Sequence, residues 1–445
     1  MTIRGLAFPF AVAVLPAATV LGQSRQIPAA AQSNPVIITS ATVHTVTGPT
    51  ILDGYVVFDN GVILDVGQGI PPDVRNAQFI NAGGLHLYPG LISTDTTLGL
   101  IETSAVDATH DYAELGDITP EVRAAVAVNP DSELIPVARA NGILTAAIFP
   151  RGGLVSGRGS IIRLDGWTWE QMTIVPAAGL VISWPRTEPD MRETWRRPKP
   201  KPAKEQREAI EKNLRRIDTL FDDAADYLKA VGADPAQQTD LRYEALRDVL
   251  AGRTPIFARA STQGQIESAV SWATRRNLDI VIVGGREAGK AAAMLRKHDV
   301  PVIIGGLHSL PAHRDDPYDE PFTLPARLYD AGVRFAIASG SGAAHERNLN
   351  HNAATAVAFG LAHDQALKAI TADAAEILGI GDTHGAIEVG MAATLIVTTG
   401  DPLQITSDTL IAWIDGRQID LGNRHKALYD KYREKYRQLG LLEGQ

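Results

Sequence analysis

Apolar residues between positions 35 and 92 fall in short β-branched runs at 36–38, 55–58 and 62–66, separated by Gly, Pro, Asn and Asp. Runs of that length and composition, bounded by turn formers, predict a small antiparallel sheet. The far end repeats the texture at 394–398 and 410–414, with an Asp415-Gly416 turn before 417–419. Between these flanks the pattern changes. Short apolar runs at 144–149, 180–182, 256–258, 280–283, 302–304 and 335–338 alternate with helical stretches. Strand-length runs separated by helices predict βα units and a parallel sheet or barrel.

Other segments break the alternation. Residues 196–204 read RRPKPKPAK, and Ile210, Leu214, Ile217, Phe221, Ala224 and Leu228 follow at helical spacing. An exposed proline-rich connector leading into an amphipathic helix accounts for both. The tail at 426–442 predicts a charged helix that packs through Leu428, Tyr432 and Leu439 or Leu441. At the other end, Arg4 precedes an uncharged apolar stretch at 6–21, the profile of a signal peptide cleaved after Gly22 or after Ala31. A membrane anchor is the alternative, but the stretch is short against the ~20 residues of a span, and Pro9 and Pro16 interrupt it.

Composition narrows the partners. The 445 residues are 45% hydrophobic and 21% charged, enough for a substantial core. A formal charge of −9 disfavours phosphate backbones, so nucleic acid is not an expected partner. There is no cysteine, which removes disulfides, thiolate metal sites and a Cys nucleophile, and suits an exported, periplasmic or secreted protein.

At 88–97 the chain reads YPGLISTDTT, and at 361–390 it reads LAHDQALKAITADAAEILGIGDTHGAIEVG, followed by 393–395 and the run GDPL at 400–403. These segments resemble, respectively, the PGLIDxHxH motif on the first barrel strand of amidohydrolases and the helix, TxxxAxxLG turn and xGxxADLVV strand that close that superfamily. The resemblance covers roughly residues 35 to 420 and is nearest to the imidazolonepropionase-like and deacetylase-like members. It implies an α/β fold, a (β/α)8 TIM-type barrel with a composite β-sandwich domain from both chain ends. The boundaries it suggests are a signal peptide at 1–22, sandwich segments at 35–88 and 383–421, a barrel at 89–382 and a C-terminal helix at 422–445. It also implies metal-assisted hydrolysis of non-peptide C–N bonds, in amides or cyclic amides, and a homodimer by analogy.

Such enzymes hold one or two divalent metals through two His on the first strand, one His each on the fifth and sixth, and an Asp on the eighth. The metal lowers the pKa of its bound water and polarises the scissile carbonyl. Matched one at a time, these positions hold Asp95, Thr97, Arg259, Gly284 and Gly340. Only Asp95 can bind a hard cation, and a guanidinium at 259 repels one. No cofactor is therefore expected at the family position, and the hydrolytic activity is expected to be lost, leaving a pseudoenzyme, or rebuilt on other residues. The two glycines leave space for neighbouring side chains or for a ligand.

Asp95, Glu102, Asp107, His110, Asp111, Arg259, His308 and His345 are expected at the C-terminal face of the barrel, where such folds build sites. A non-standard zinc site could join Asp95 to His308, His345 or His110; solvated loop residues and ion pairs are the plainer reading, since no pair has metal-motif spacing. His345-Glu346 lacks the second His of an HExxH motif. Arg259 with Asp95 reads either as a structural ion pair or as a pocket for a carboxylate or phosphate. In the second case the barrel mouth binds a small molecule, with Arg259, His110, His308 and His345 as ligand-binding candidates. A third reading makes Asp95 the catalytic base or nucleophile of a metal-independent hydrolase. Gly152, Gly153, Gly157 and Gly159 around Ser156 and Arg158 read as a flexible loop, and Trp167 and Trp169 as a pair packed under a turn or stacked on a ligand.

Overall fold

The computed structural model describes residues 24 and 26–442, apart from 194–198, 235 and 341. The apolar stretch at 6–21 lies outside the described residues, as does part of the connector at 196–204. No helix among the described residues is long and apolar enough to cross a membrane.

The N-terminal flank forms strands β1 (Val36–His44), β2 (Thr50–Asp59), β3 (Val62–Gln68), β4 (Gln78–Asn81) and β5 (His86–Pro89). The middle supplies β6 (Leu91–Thr96), β7 (Ile143–Ile148), β8 (Val155–Arg163), β9 (Thr173–Ser183), β10 (Ile256–Ala260), β11 (Ile280–Gly284), β12 (Val302–Ile304) and β13 (Phe335–Ile337). The C-terminal flank adds β14 (Leu395–Thr398), β15 (Thr409–Ile414) and β16 (Arg417–Gln418).

Both chain ends build one sheet, in the order β16-β15-β14-β5-β1-β2-β3, with β4 beside β1. β14 lies antiparallel to β5, Leu395 opposite Pro89, so the last strands extend the sheet that the first strands began. Trp413 and Phe58 meet edge to face at 5.7 Å in its core. Asp165, buried, ties this unit to the rest: it accepts from Arg139 Nη1 at 2.7 Å, Arg417 Nη1 at 2.9 Å and the Ala29 backbone N–H at 3.1 Å. A buried carboxylate needs that many donors to offset lost hydration.

The second sheet runs β6 to β13 in chain order and nearly closes into a barrel, with β13 beside β6. Seven strands run the same way; β8 is antiparallel to both β7 and β9. The barrel is thus TIM-like with one strand reversed. Of the glycines read as a flexible loop, Gly157 and Gly159 lie in this strand, where they make room for neighbours, and Gly152 and Gly153 lie in the bend before it. A Cβ on Gly159 would lie 2.5 Å from the Phe149 ring. The Ala372–Ile377 helix and the residues after it bring Ala374, Ala375, Ile377 and Leu378 against Val181, Phe257 and Ile303 in the barrel interior. This closes one end.

The helix Ala203–Ala233 buries Ile217, Leu220, Phe221 and Ala224, the stripe its periodicity requires. The C-terminal helix, Arg424–Gln438, corrects its expectation: it buries no residue, and Leu428, Tyr432, Leu439 and Leu441 are all exposed. It approaches the body at the Leu134–Arg139 helix without burying a side chain there. Trp169 packs against the core, whereas Trp167 is exposed.

Candidate functional site

Side chains in a strand alternate between faces. On β10, Phe257 belongs to the barrel interior, so Arg259, two residues on at the C-terminal end, points inward as well. On β6, Ile92 faces the interior. One extra residue between Ser93 and Thr96, relative to β7, breaks the register there. Such a bulge reverses the alternation, so Asp95 shares the inward face with Ile92.

Four strand steps separate β6 from β10, which in a closed barrel of eight places them on opposite sides. Arg259 spans that distance. Its Nη1 donates to Asp95 Oδ2 at 3.0 Å and its Nη2 to Asp95 Oδ1 at 2.8 Å. Arg151, in the connection from β7 to β8, adds a bond from Nη2 to Oδ1 at 3.2 Å. The guanidinium carbon of Arg259 stands 5.9 Å from the Phe149 ring centroid, and Phe149 leans on Phe257 at 4.5 Å. Gly159 opens the space in which Phe149 forms this shelf.

Burial alone would push the Asp95 carboxyl up, but Arg259 and Arg151 overcome it and hold the group below the usual carboxylate range. Asp95 is therefore a weak base with both oxygens engaged, which argues against its use as nucleophile or general base. The side chains of Asp95 and Arg259 are 10% and 17% exposed, that of Arg151 36%. Solvent reaches the site at Arg151.

The remaining family positions supply no donor. Thr97 is buried in the turn after β6. Gly284 ends β11, and a Cβ there would lie 3.0 Å from Ser261 Oγ. Gly340 has φ +66°, and its Cβ would fall 2.3 Å from the Gly306 backbone. The room left at the eighth strand is filled by backbone, neither by a side chain nor by open space. A divalent metal does not fit this set: one carboxylate is already neutralised by two fixed cations.

The histidines do not join Asp95. His110 Nε2 lies 3.3 Å from the Thr103 carbonyl oxygen, His308 Nε2 lies 2.8 Å from the Thr355 hydroxyl, and His345 is exposed on the turn at Ala343–Asn348. Among the described residues no three His, Asp or Glu converge as a metal would need. The non-standard zinc grouping is thus not assembled: the three imidazoles sit on separate segments, with His110 and His308 bonded locally and His345 turned to solvent.

Two residues were missed in the sequence. Arg151 closely follows the second barrel strand, a position that builds sites in barrels, but the glycines after it have the composition of a loop. Glu346, weighed only as part of an HExxH motif, is buried against the site. Ser93 Oγ donates to its Oε1 at 2.7 Å and Ser339 Oγ to its Oε2 at 2.9 Å. Burial pushes its carboxyl up, the hydroxyls of Ser93, Thr96 and Ser339 pull it down, and the charge of Asp95 adds to the rise. At the opposite end, the strand starts, a cavity of about 650 Å³ is lined by Pro255, Asp279, His298, Arg334 and Glu376. Arg334 is satisfied there by Asp299 and Glu376.

Comparisons with known proteins agree with this architecture. The sequence profile of the "Amidohydrolase family" matches residues 319–421. The chain is 23% identical over 401 residues to "Amidohydrolase tasK" of Hapsidospora irregularis, across 82% of this chain and 39% of that protein. It spans about two fifths of that relative's length. The crystal structure of an amidohydrolase from Thermotoga maritima MSB8 matches with a TM-score of 0.76 and 25% identity, covering 86% of this chain and 99% of that one. That of a molinate hydrolase shares the fold at a TM-score of 0.53 and 16% identity, covering 89% and 96%.

Proposed function

We propose that the chain is a member of the amidohydrolase superfamily that carries guanidinium groups in the region of that superfamily's metal site and acts as a non-hydrolytic receptor for a small carboxylate or similar anion. The observation that carries this reading is the stoichiometry of the mouth: Arg259 and Arg151 share the single carboxylate of Asp95. Glu346 behind them is enclosed by hydroxyls, its carboxyl pushed up by burial. At Asp95 itself two guanidinium charges face one carboxylate. Arg151 is the cation that solvent reaches, and it gives Asp95 one nitrogen. A planar guanidinium so placed suits a carboxylate.

Hydrolysis of a C–N bond needs an activated water and a means of stabilising the developing oxyanion. Asp95 is too weak a base for the first task, and Glu346 is 1% exposed, out of reach of a substrate. Thermal-shift measurements with small mono- and dicarboxylates test the proposal. Some should stabilise the wild type and lose their effect in Arg151→Ala. If no carboxylate acts through Arg151, the receptor reading fails.

Export belongs to the same proposal. Arg4, the uncharged stretch at 6–21 and the absence of cysteine support it. Cell fractionation with N-terminal sequencing of the mature protein checks it, with processing expected after residue 22 or 31.

A further inference from the structure

The C-terminal helix, Arg424–Gln438, contains six Lys or Arg and two acidic residues on a chain whose formal charge is −9. It is a cationic element on an anionic body. At about 100° per residue, Leu428, Leu439, Tyr432, Tyr436 and Tyr429 fall on one arc of the helix. Lys431 and Lys435 edge one side of that arc, and Arg433 and Lys426 the other. Asp430 and Glu434 lie on the back. The apolar stripe is uncovered: Tyr429 is 65% exposed, Tyr432 49% and Leu439 60%. Lys435 Nζ stands 5.8 Å from the ring centroids of both Tyr432 and Tyr436, its charge beside the stripe.

From this arrangement we infer that the helix docks flat on an anionic lipid surface. An apolar strip bordered on both sides by cations, with the acids turned away, matches a bilayer interface. There the ring edges and Leu side chains enter the headgroup boundary while the basic residues meet lipid phosphates. The same helix of a second copy is a poorer match, because pairing would set two basic borders against each other. The inference is independent of what the barrel mouth binds.

Co-sedimentation of the full chain with vesicles tests it, using phosphatidylcholine alone or mixed with phosphatidylglycerol. The wild type is expected to partition onto the mixed vesicles only, and to leave them as salt is raised. Lys431→Glu/Arg433→Glu/Lys435→Glu should weaken partitioning by about a hundredfold or more, at roughly fivefold per basic residue. Leu428→Ser/Tyr432→Ser/Tyr436→Ser should abolish it. Since the helix buries no residue, both variants should keep the wild-type melting curve. No binding to mixed vesicles overturns the inference. So does binding that both variants retain, which would place the contact at residues 1–23, and so does a dimer that the Ser variant splits while vesicles bind nothing.

Discussion

Arg259 crosses the barrel to hold both oxygens of Asp95, at 2.8 and 3.0 Å. A cation is present where the amidohydrolases that this chain resembles place one, but it belongs to a side chain. The barrel gains a cross-strut and forfeits a Lewis acid. Four measurements follow from that exchange and its surroundings.

Removing one member of a mostly buried pair strands the other. Arg259→Met should destabilise the protein by about 3 to 5 kcal/mol, read from urea unfolding. Asp95→Leu/Arg259→Met should recover most of that loss, because the one charge left without its partner, Arg151, reaches solvent. If the single and double variants unfold alike, the strut does not stabilise the barrel.

Restoring an aspartate at the eighth-strand position should fail sterically. Gly340 has φ +66°, and a Cβ there would meet Gly306 at 2.3 Å. Gly340→Asp should cost about 2 to 4 kcal/mol, combining a left-handed backbone with overpacking. A melting curve unchanged by the substitution would mean that the Gly306 backbone does not fill this position.

Elemental analysis of untagged protein should find no stoichiometric zinc, iron or manganese. Chelator and added zinc should both leave Tm unmoved, because the only carboxylate at the family positions is engaged by Arg259 and Arg151. A bound metal at one equivalent would contradict the site described here.

Near the closed end of the barrel, burial pushes the Asp373 carboxyl from 3.8 up to about 6, with Lys368 pulling it down and Glu376 pushing it up. As pH rises through that window the unfolded chain gives up the proton while the native state keeps it, so stability falls. Asp373→Asn should therefore be more stable than wild type at pH 7, with the difference vanishing below pH 4. After solvent screening the gain should be on the order of 1 to 2 kcal/mol. His44, held neutral down to about 4 by burial and by His86, works in the opposite sense between about 4 and 6.5. The quantity to plot is variant minus wild type.

Barrel and composite sheet were legible because β-branched runs, turn formers and helical spacing all agreed, as at 36–38 and 280–283. The meeting of Asp95 and Arg259 was legible too, since each closes a strand-length run whose C-terminal end faces the barrel mouth. The reversed strand β8 was not, because Gly157 and Gly159 imitate a loop; only the packing of Val122 and Phe149 against them explains why a strand needs them. Nor did the sequence place Arg151 beside Asp95, which takes a bulge on β6 and a short β7–β8 connection. The tail helix erred for another reason: an apolar stripe has the same periodicity whether or not anything covers it.

A metal ion obeys mass action, so its occupancy falls with dilution, competition and scarcity. Arg259 is tethered by the polypeptide, and its local concentration beside Asp95 is set by geometry alone. Folding of this barrel should thus need no mineral supply, and a starved environment and a replete one should yield the same mature molecule.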